Sequence, residues 1–316
     1  MMYKNSVKLL FSNFSLVWKT LLYNLIIIGI VGVLAYFSAV PVYDVLKLNG
    51  FFESVHDIFA NFVENLNLRN FFKDIGACGK LFADIINNNF SDIWVSIVLF
   101  LLSIFVFGKL MFGLIKLPTQ NVLYASMSNN MKVGTFTSFV ANFKKVMLFE
   151  LSKFVITFPI DILIAYAIIL CFRLFKVGGT ISILAPFIIV IIAIVLVAIR
   201  ITMFSCWSPL IAVKDMGVFT SLKENFKLVL RRFIKIFGNS IGIVFTVIVI
   251  NGMAILFTLG TCLFITIPLS SVLLHTYSMS AFYGSYGMRY YVDYSTIVEP
   301  KRMEATERLK NTKYHI

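Results

Sequence analysis

Six long apolar stretches alternate with polar segments along this chain. They cover residues 20–42, 93–117, 154–172, 181–203, 237–258 and 263–284. The hydrocarbon core of a membrane is about 30 Å thick, and a helix crosses it in about 20 residues. Each stretch is about that long, so the sequence predicts an all-α, polytopic membrane protein with about six transmembrane helices.

The connections at both ends of this series add detail. Only residues 259–262 separate the last two stretches, which predicts a helical hairpin. Lys4, Lys8 and Lys19 precede the first stretch, as basic residues precede a cleaved signal peptide. The apolar run is too long for a signal peptide and no small-x-small cleavage site follows it, so an uncleaved anchor is favoured.

A polar and aromatic motif recurs between the apolar stretches. Residues 136–146 match residues 219–229 at a constant offset of 83. The identical residues are Phe136, Thr137, Ser138, Asn142, Phe143, Lys144 and Val146, against Phe219, Thr220, Ser221, Asn225, Phe226, Lys227 and Val229. A weaker N-terminal copy comprises Val7, Leu10, Asn13, Phe14 and Val17. Chance similarity is the alternative, since the chain contains 33 phenylalanines.

The periodicity of these copies is typical of amphipathic helices. In the C-terminal copy, the apolar face consists of Phe219, Leu222, Phe226, Val229 and Phe233. The basic residues lie mainly off that face and are Lys223, Lys227, Arg231, Arg232 and Lys235. This pattern predicts a helix in the membrane interface, with its basic groups toward lipid phosphates. The chain would then contain three repeats of one interfacial helix and two spans, and parallel repeats are known among transporters.

Composition supports the membrane class. Hydrophobic residues make up 59% of the chain and charged residues 14%, whereas a soluble protein carries about 25% charged residues. We therefore expect one membrane domain over residues 1–290 and a cytoplasmic tail over residues 291–316.

The basic residues are distributed unequally between the two sides of the predicted membrane. The side with both termini carries 22 lysines and arginines and the opposite side carries 6. Cytoplasmic loops carry the excess of such residues, so both termini are predicted to be cytoplasmic in a cell membrane. The net charge of +13 makes anionic phospholipids the expected partners, and Lys144 and Lys145 join the basic residues of the C-terminal copy as headgroup candidates. Nucleic acid is not expected, because no soluble module concentrates the basic residues.

Residues 208–229 resemble a known membrane family. Ser208-Pro209-Leu210-Ile211-Ala212-Val213, Gly217-Val218-Phe219 and Ser221 to Val229 are similar to the segment after the fourth span in a widespread bacterial superfamily of six-span proteins. It includes the membrane domain of some glycerophosphodiester phosphodiesterases and many stand-alone proteins of unknown function. The resemblance covers residues 93–290 and implies the fold. It implies no hydrolase activity, because no phosphodiesterase domain is expected in the residues after 284.

The segment 43–92 is an insertion relative to that superfamily. It carries seven acidic and four basic residues, with phenylalanines and valines at near-helical spacing. We expect one or two amphipathic helices on the extracytoplasmic side. Either they form a lid that binds a membrane-protein partner, or they form a cap on the outer ends of the spans. External specificity would reside here, since loops commonly carry binding residues.

Polar side chains inside spans are the main candidates for a functional site, because charge is costly in hydrocarbon. They are Asp161, Lys109, Arg200 and His275. One interpretation is a lipid-headgroup, ion or proton site built around Asp161. The other is an internal ion pair between Asp161 and either Lys109 or Arg200, with the remaining cation extending to the interface.

Motifs of known enzymes, cofactors and metal sites are absent from the sequence. An external disulfide among Cys78, Cys171 and Cys262 remains open, since no C-x-x-C spacing indicates a pairing. The leading interpretation is a non-enzymatic envelope protein that acts on lipids or membrane partners as a scaffold or carrier. A secondary transporter or channel using Asp161 and His275 is the alternative, and a membrane-bound lipid-phosphate enzyme is the third class.

Overall fold

The computed structural model of the chain describes residues 2–175, 185–293 and 295–299. The helices are α1 (Met2–Ser12), α2 (Ser15–Leu48), α3 (Phe51–Asn65), α4 (Leu68–Asn88), α5 (Phe90–Leu101), a π-helical segment (Leu102–Gly108), α6 (Lys109–Gly113), α7 (Lys116–Asn129), α8 (Thr135–Ala141), α9 (Phe143–Phe175), α10 (Ala185–Met203), α11 (Trp207–Lys214), α12 (Val218–Arg231), α13 (Phe233–Thr258) and α14 (Leu263–Tyr286). Two short strands, β1 (Tyr290–Tyr291) and β2 (Ile297–Val298), follow.

The prediction of an all-α polytopic membrane protein is confirmed. Six helical segments among the described residues are long and apolar enough to cross a membrane: Ser15–Leu48, Phe90–Asn129, Phe143–Arg173, Ala185–Lys214, Phe233–Thr258 and Leu263–Tyr286. Each contains one predicted apolar stretch, except that residues 181–184 of the fourth lie outside the described part of the chain. The helices extend beyond the predicted stretches because helical hydrogen bonding continues where the side chains become polar.

The chain divides into two compact units, whereas the sequence suggests one membrane domain over residues 1–290. The larger unit comprises Met1–Asn24 and Gly113–Ile316, and the smaller unit comprises Leu25–Phe112. The larger unit therefore contains α9, α10, α13 and α14 together with the short helices α1, α7, α8, α11 and α12. The end of the larger unit at which α9 and α13 begin is called its basic end.

Helix α14 is the centre of the larger unit. Tyr277 and Phe282 on α14 have no exposed surface, and Leu9 of α1 is equally buried. Helix α1 packs along α14, so its apolar face meets protein. Full burial of a leucine side chain stabilises a fold by roughly 1.5–3 kcal/mol, which explains why this short helix is held in place.

Helices α8 and α12 begin at equivalent positions of the predicted repeat. Each follows an extended glycine, Gly134 or Gly217, and their first residues are 83 apart. Helix α8 ends after seven residues, whereas α12 has 14 residues. The predicted correspondence thus holds at the helix starts and not at their ends.

The equivalent asparagines of the motif make different contacts. The Asn142 side chain donates to the carbonyl of Ser138 in its own helix at 3.1 Å, and α8 stops there. The Asn225 side chain instead donates to the carbonyl of Met203 at 2.7 Å and accepts from the N–H of Cys206 at 3.0 Å. Its amide therefore links α12 to the segment between α10 and α11.

The buried side of α12 differs from the apolar face predicted from the sequence. Val218, Ser221, Asn225 and Val229 are buried, whereas Phe219 is 65% exposed. Only Val229 belongs to both sets. Small and hydrogen-bonding residues meet the protein, and the larger apolar side chains turn partly outward.

In the smaller unit, the insertion folds into the two helices α3 and α4. Aromatic side chains join them, with ring centroids 5.6 Å apart for Phe51 and Phe82 and 4.4 Å apart for Phe62 and Phe71. Helix α3 has no buried residue, and Ile85 is the buried residue of α4. The insertion is therefore a helical hairpin whose outer surfaces remain exposed within the described unit.

The start of the predicted tail is ordered. Strands β1 and β2 pair antiparallel, with Tyr290 opposite Val298. The Asp293 carboxylate accepts from the N–H groups of Ser295 at 2.9 Å and Thr296 at 2.6 Å. These bonds favour the charged carboxylate and lower the pKa of Asp293 to about 2. Residues 300–316 lie outside the described residues.

Candidate functional site

Asp161 on α9 and Arg200 on α10 form an ion pair inside the larger unit. The Arg200 Nη2 donates to Asp161 Oδ2 at 3.0 Å, and Arg200 Nε lies 2.7 Å from Asp161 Oδ1. The Nη2 contact is a charge-assisted hydrogen bond, whereas the Nε atom lies within ion-pair distance but has no hydrogen-bond partner. The pair is the arrangement expected under the internal ion-pair interpretation.

The other two predicted intramembrane residues, Lys109 and His275, are on other helices. Lys109 is the first residue of α6, directly after the π-helical segment, and belongs to the smaller unit. His275 on α14 is 7% exposed, and its Nε2 lies 3.4 Å from the Ser271 hydroxyl. The Gln120 amide donates to the backbone carbonyl of His275 at 3.3 Å, so α7 and α14 meet at this residue.

Two charged residues that lie outside the predicted apolar stretch are near the start of α9. This helix begins at Phe143, eleven residues before the predicted apolar stretch, and therefore includes Glu150 and Lys153. Glu150 is 2% exposed and forms an ion pair with Lys153. A side chain at Gly113 would overlap the Glu150 carboxylate, so the Glu150 side chain reaches the backbone of Gly113.

Polar residues continue along the same side of α9. Glu150, Lys153, Thr157 and Asp161 follow at intervals of three or four residues, which places them on one face of a helix. We call these four residues the polar row. Eleven residues at a rise of 1.5 Å cover about 16 Å, roughly half of the hydrocarbon core. Residues 162–172 carry no charge, so the polar row ends near mid-membrane.

Lys116 adds a third cation to this region. Its ammonium lies 5.8 Å from the centre of the Phe149 ring, and the ammonium of Lys153 lies 5.8 Å from the same ring. Lys116 interacts electrostatically with Lys153, Glu150 and Arg200. We call Lys116, Lys153 and Arg200 the cation cluster. The spacing of Glu150, Lys153, Thr157 and Asp161 in the polar row was visible in the sequence, but Glu150 and Lys153 lie outside the predicted span.

Several buried oxygens on α7 and α9, the helices that carry Lys116 and Lys153, lack a hydrogen-bond partner among the described residues. They are Thr119 Oγ1, Gln120 Oε1, Glu150 Oε2 and Thr157 Oγ1. Buried polar atoms in proteins are normally hydrogen-bonded, so each such oxygen requires an explanation. Together they provide two hydroxyl groups and two acceptors to water or to a ligand.

The predicted headgroup residues fall into two groups. Lys223, Lys227, Arg231 and Lys235 are exposed along α12 and the start of α13, as is Lys144 on α9. Exposed apolar side chains accompany them, with Phe219 at 65%, Leu230 at 63% and Ile234 at 86% exposure. We call the four exposed basic residues of α12 and α13 the basic strip.

Arg232 and Lys145 are engaged within the protein. The Arg232 Nη1 donates to the carbonyl of Gly284 near the end of α14 at 2.6 Å. Lys145 forms an ion pair with Asp215 beside a cavity of about 340 Å³ lined by residues of α7, α8 and α11. Both residues therefore hold short helices in position. A second cavity, of about 350 Å³, is lined in part by Lys19 and Lys132.

No family model matches the chain, and no curated protein and no solved structure matches it either. The resemblance of residues 93–290 to the six-span superfamily therefore stays a prediction. All four cysteines are free thiols, with Cys206 buried. Within the described residues, no group of three or more histidine, cysteine, aspartate or glutamate side chains could hold a metal ion.

Proposed function

We propose that this chain is a non-enzymatic integral protein of a bacterial cell membrane that binds anionic phospholipid and acts as a carrier or scaffold. The observation that carries the proposal is the basic strip beside Phe219, Leu230 and Ile234, which are exposed apolar side chains on the same helices. Such a helix buries its apolar residues at the headgroup boundary and directs its cations to lipid phosphates.

The distribution of charge supports this assignment. The side of the chain that carries the basic strip has 22 of the 28 lysines and arginines. Cytoplasmic leaflets are rich in anionic lipids, and each nearby cation contributes about 1 kcal/mol of attraction. Both termini are then cytoplasmic, together with the basic end of the larger unit.

The hairpin of α3 and α4 is the proposed site for a membrane-protein partner. It lies on the extracytoplasmic side in this orientation and exposes large apolar residues, among them Phe59 at 55% and Phe72 at 68%. Exposed apolar clusters of this kind favour contact with another protein or with lipid.

A secondary transporter for a small solute is the second candidate. The polar row favours it, because charged residues within a span commonly mark a substrate or ion path. The row ends at Asp161, which pairs with Arg200, and the second half of α9 carries no charge before Arg173. A site within one leaflet therefore fits the polar row better than a complete path.

The basic strip is tested by replacing Lys223, Lys227 and Arg231 with glutamine. At about 1 kcal/mol per charge, the triple variant should bind phosphatidylglycerol up to about a hundredfold more weakly. Vesicle flotation and native mass spectrometry of the purified protein measure this binding. The matched control replaces Arg69, Lys73 and Lys80 of α4, which are also exposed, and should retain wild-type binding. Equal losses of phosphatidylglycerol binding in both triple variants, or no loss in either, would exclude the basic strip as a lipid-binding site.

A further inference from the structure

The charges around Phe149 do not balance. Glu150 faces Lys153 and Asp161 faces Arg200, so each carboxylate has a cation partner. No carboxylate among the described residues lies within ion-pair distance of Lys116. Two carboxylates therefore accompany the three cations of the cation cluster.

The surplus cation is unfavourable in this environment. Lys116 and Lys153 lie over the same aromatic ring. Lys153 repels Lys116 more strongly than Glu150 attracts it, and Arg200 adds to the repulsion. A charge held away from water without a partner is costly, and the group either loses its charge or gains a counter-ion. An anion between the two ammonium groups would remove the repulsion and supply acceptors for both.

The unpartnered oxygens indicate the chemistry of that anion. Lys116, Thr119 and Gln120 lie on one face of α7, and Glu150, Lys153 and Thr157 lie on one face of α9. The hydroxyls of Thr119 and Thr157 can donate to phosphate oxygens. The Glu150 and Gln120 oxygens without partners can accept hydrogen bonds, for example from ligand hydroxyls. A phosphoglycerol group provides both phosphate acceptors and hydroxyl donors.

We propose that the cation cluster holds one phosphoglycerol headgroup, with its phosphate between Lys116 and Lys153 and its hydroxyls toward Glu150 and Gln120. This inference rests on the proposed lipid function and assigns it a second, internal site. The site selects phosphoglycerol over phosphoethanolamine, because an added ammonium would meet a cluster that already has a surplus of cations. The hydrocarbon chains of the lipid lie in the half of the membrane that contains the polar row.

The test uses the purified full chain in detergent, exchanged into phosphatidylglycerol or phosphatidylethanolamine and examined by native mass spectrometry. Wild-type protein should retain one phosphatidylglycerol after extended delipidation. Lys116→Gln should lower this retention at least tenfold, whereas the control Lys73→Gln on exposed α4 should not. Thr157→Val should weaken retention severalfold without changing charge, which provides a second variant if Lys116→Gln fails to fold.

Several outcomes separate this site from its competitors. Wild-type retention in both Lys116→Gln and Thr157→Val would overturn the proposal. Equal thermal stabilisation of the wild type by free glycerol phosphate and by phosphatidylglycerol would overturn the assignment to lipid. The triple variant of the basic strip should keep the tightly held lipid, so failure of the strip and failure of the internal site give different results.

Discussion

The ion pair of Asp161 and Arg200 links α9 to α10 at the end of the polar row. Both side chains are about 30% exposed within the protein, at 29% and 30%, and the membrane replaces water around much of this surface. Removal of one partner from an ion pair in a poorly solvated environment leaves a charge that nothing compensates. Asp161 is therefore assigned here to stability rather than to transport.

Asp161→Asn tests this assignment at the level of single residues. The substitution should destabilise the protein by about 2 kcal/mol, below the ~3 to 5 kcal/mol of a fully buried pair, and lower the melting temperature by several degrees. A second substitution, Arg200→Met, should restore part of the loss because it removes the uncompensated charge. Thermal unfolding in detergent measures both. An Asp161→Asn variant of wild-type stability that lost solute uptake in proteoliposomes would favour the transporter instead.

At the scale of elements, the equivalent asparagines of α8 and α12 have different roles. Asn225 has no exposed surface and bonds to two backbone groups outside its own helix. Asn142 bonds to a carbonyl one turn earlier. Asn142 and Asn225 are therefore equivalent in the sequence repeat but make different tertiary contacts.

This difference predicts unequal effects of the same substitution. Asn225→Leu leaves the N–H of Cys206 and the carbonyl of Met203 unpaired in the core, and unsatisfied buried groups cost about 1–3 kcal/mol each. We expect a loss of at least 2 kcal/mol. The matched control Asn142→Leu should cost less than about 1 kcal/mol, since it removes one local bond. Thermal melts of the two variants provide the comparison, and equal losses would contradict the assigned roles.

Much of the fold could be predicted from hydrophobic periodicity, including the six spans and the helices of the insertion. The same criterion excluded Glu150 and Lys153, because apolar stretches mark the hydrocarbon core and not the ends of α9. Burial of one side of α12 depends on the hydrogen bonds of Asn225 to Met203 and Cys206. Hydrophobic periodicity does not predict such bonds. The ion pair of Asp161 with Arg200 was among the predicted pairings, but its geometry required coordinates.

At the scale of the whole molecule, one orientation underlies both proposed lipid sites. The basic strip lies at the basic end of the larger unit, and the polar row occupies the half of α9 nearest that end. Anionic lipids of the cytoplasmic leaflet reach both sites only if this end is cytoplasmic. The partner proposed for the hairpin of α3 and α4 is then on the extracytoplasmic side.

Cysteine accessibility in intact cells tests this orientation most directly. Single cysteines at Val63, which is 71% exposed on α3, and at Lys223 on α12 are introduced after the four native cysteines are replaced by serine or alanine. A membrane-impermeant maleimide should label Val63→Cys in intact cells and Lys223→Cys only after permeabilisation. Labelling of Lys223→Cys from outside, with Val63→Cys protected until permeabilisation, would contradict the proposed orientation and both lipid sites.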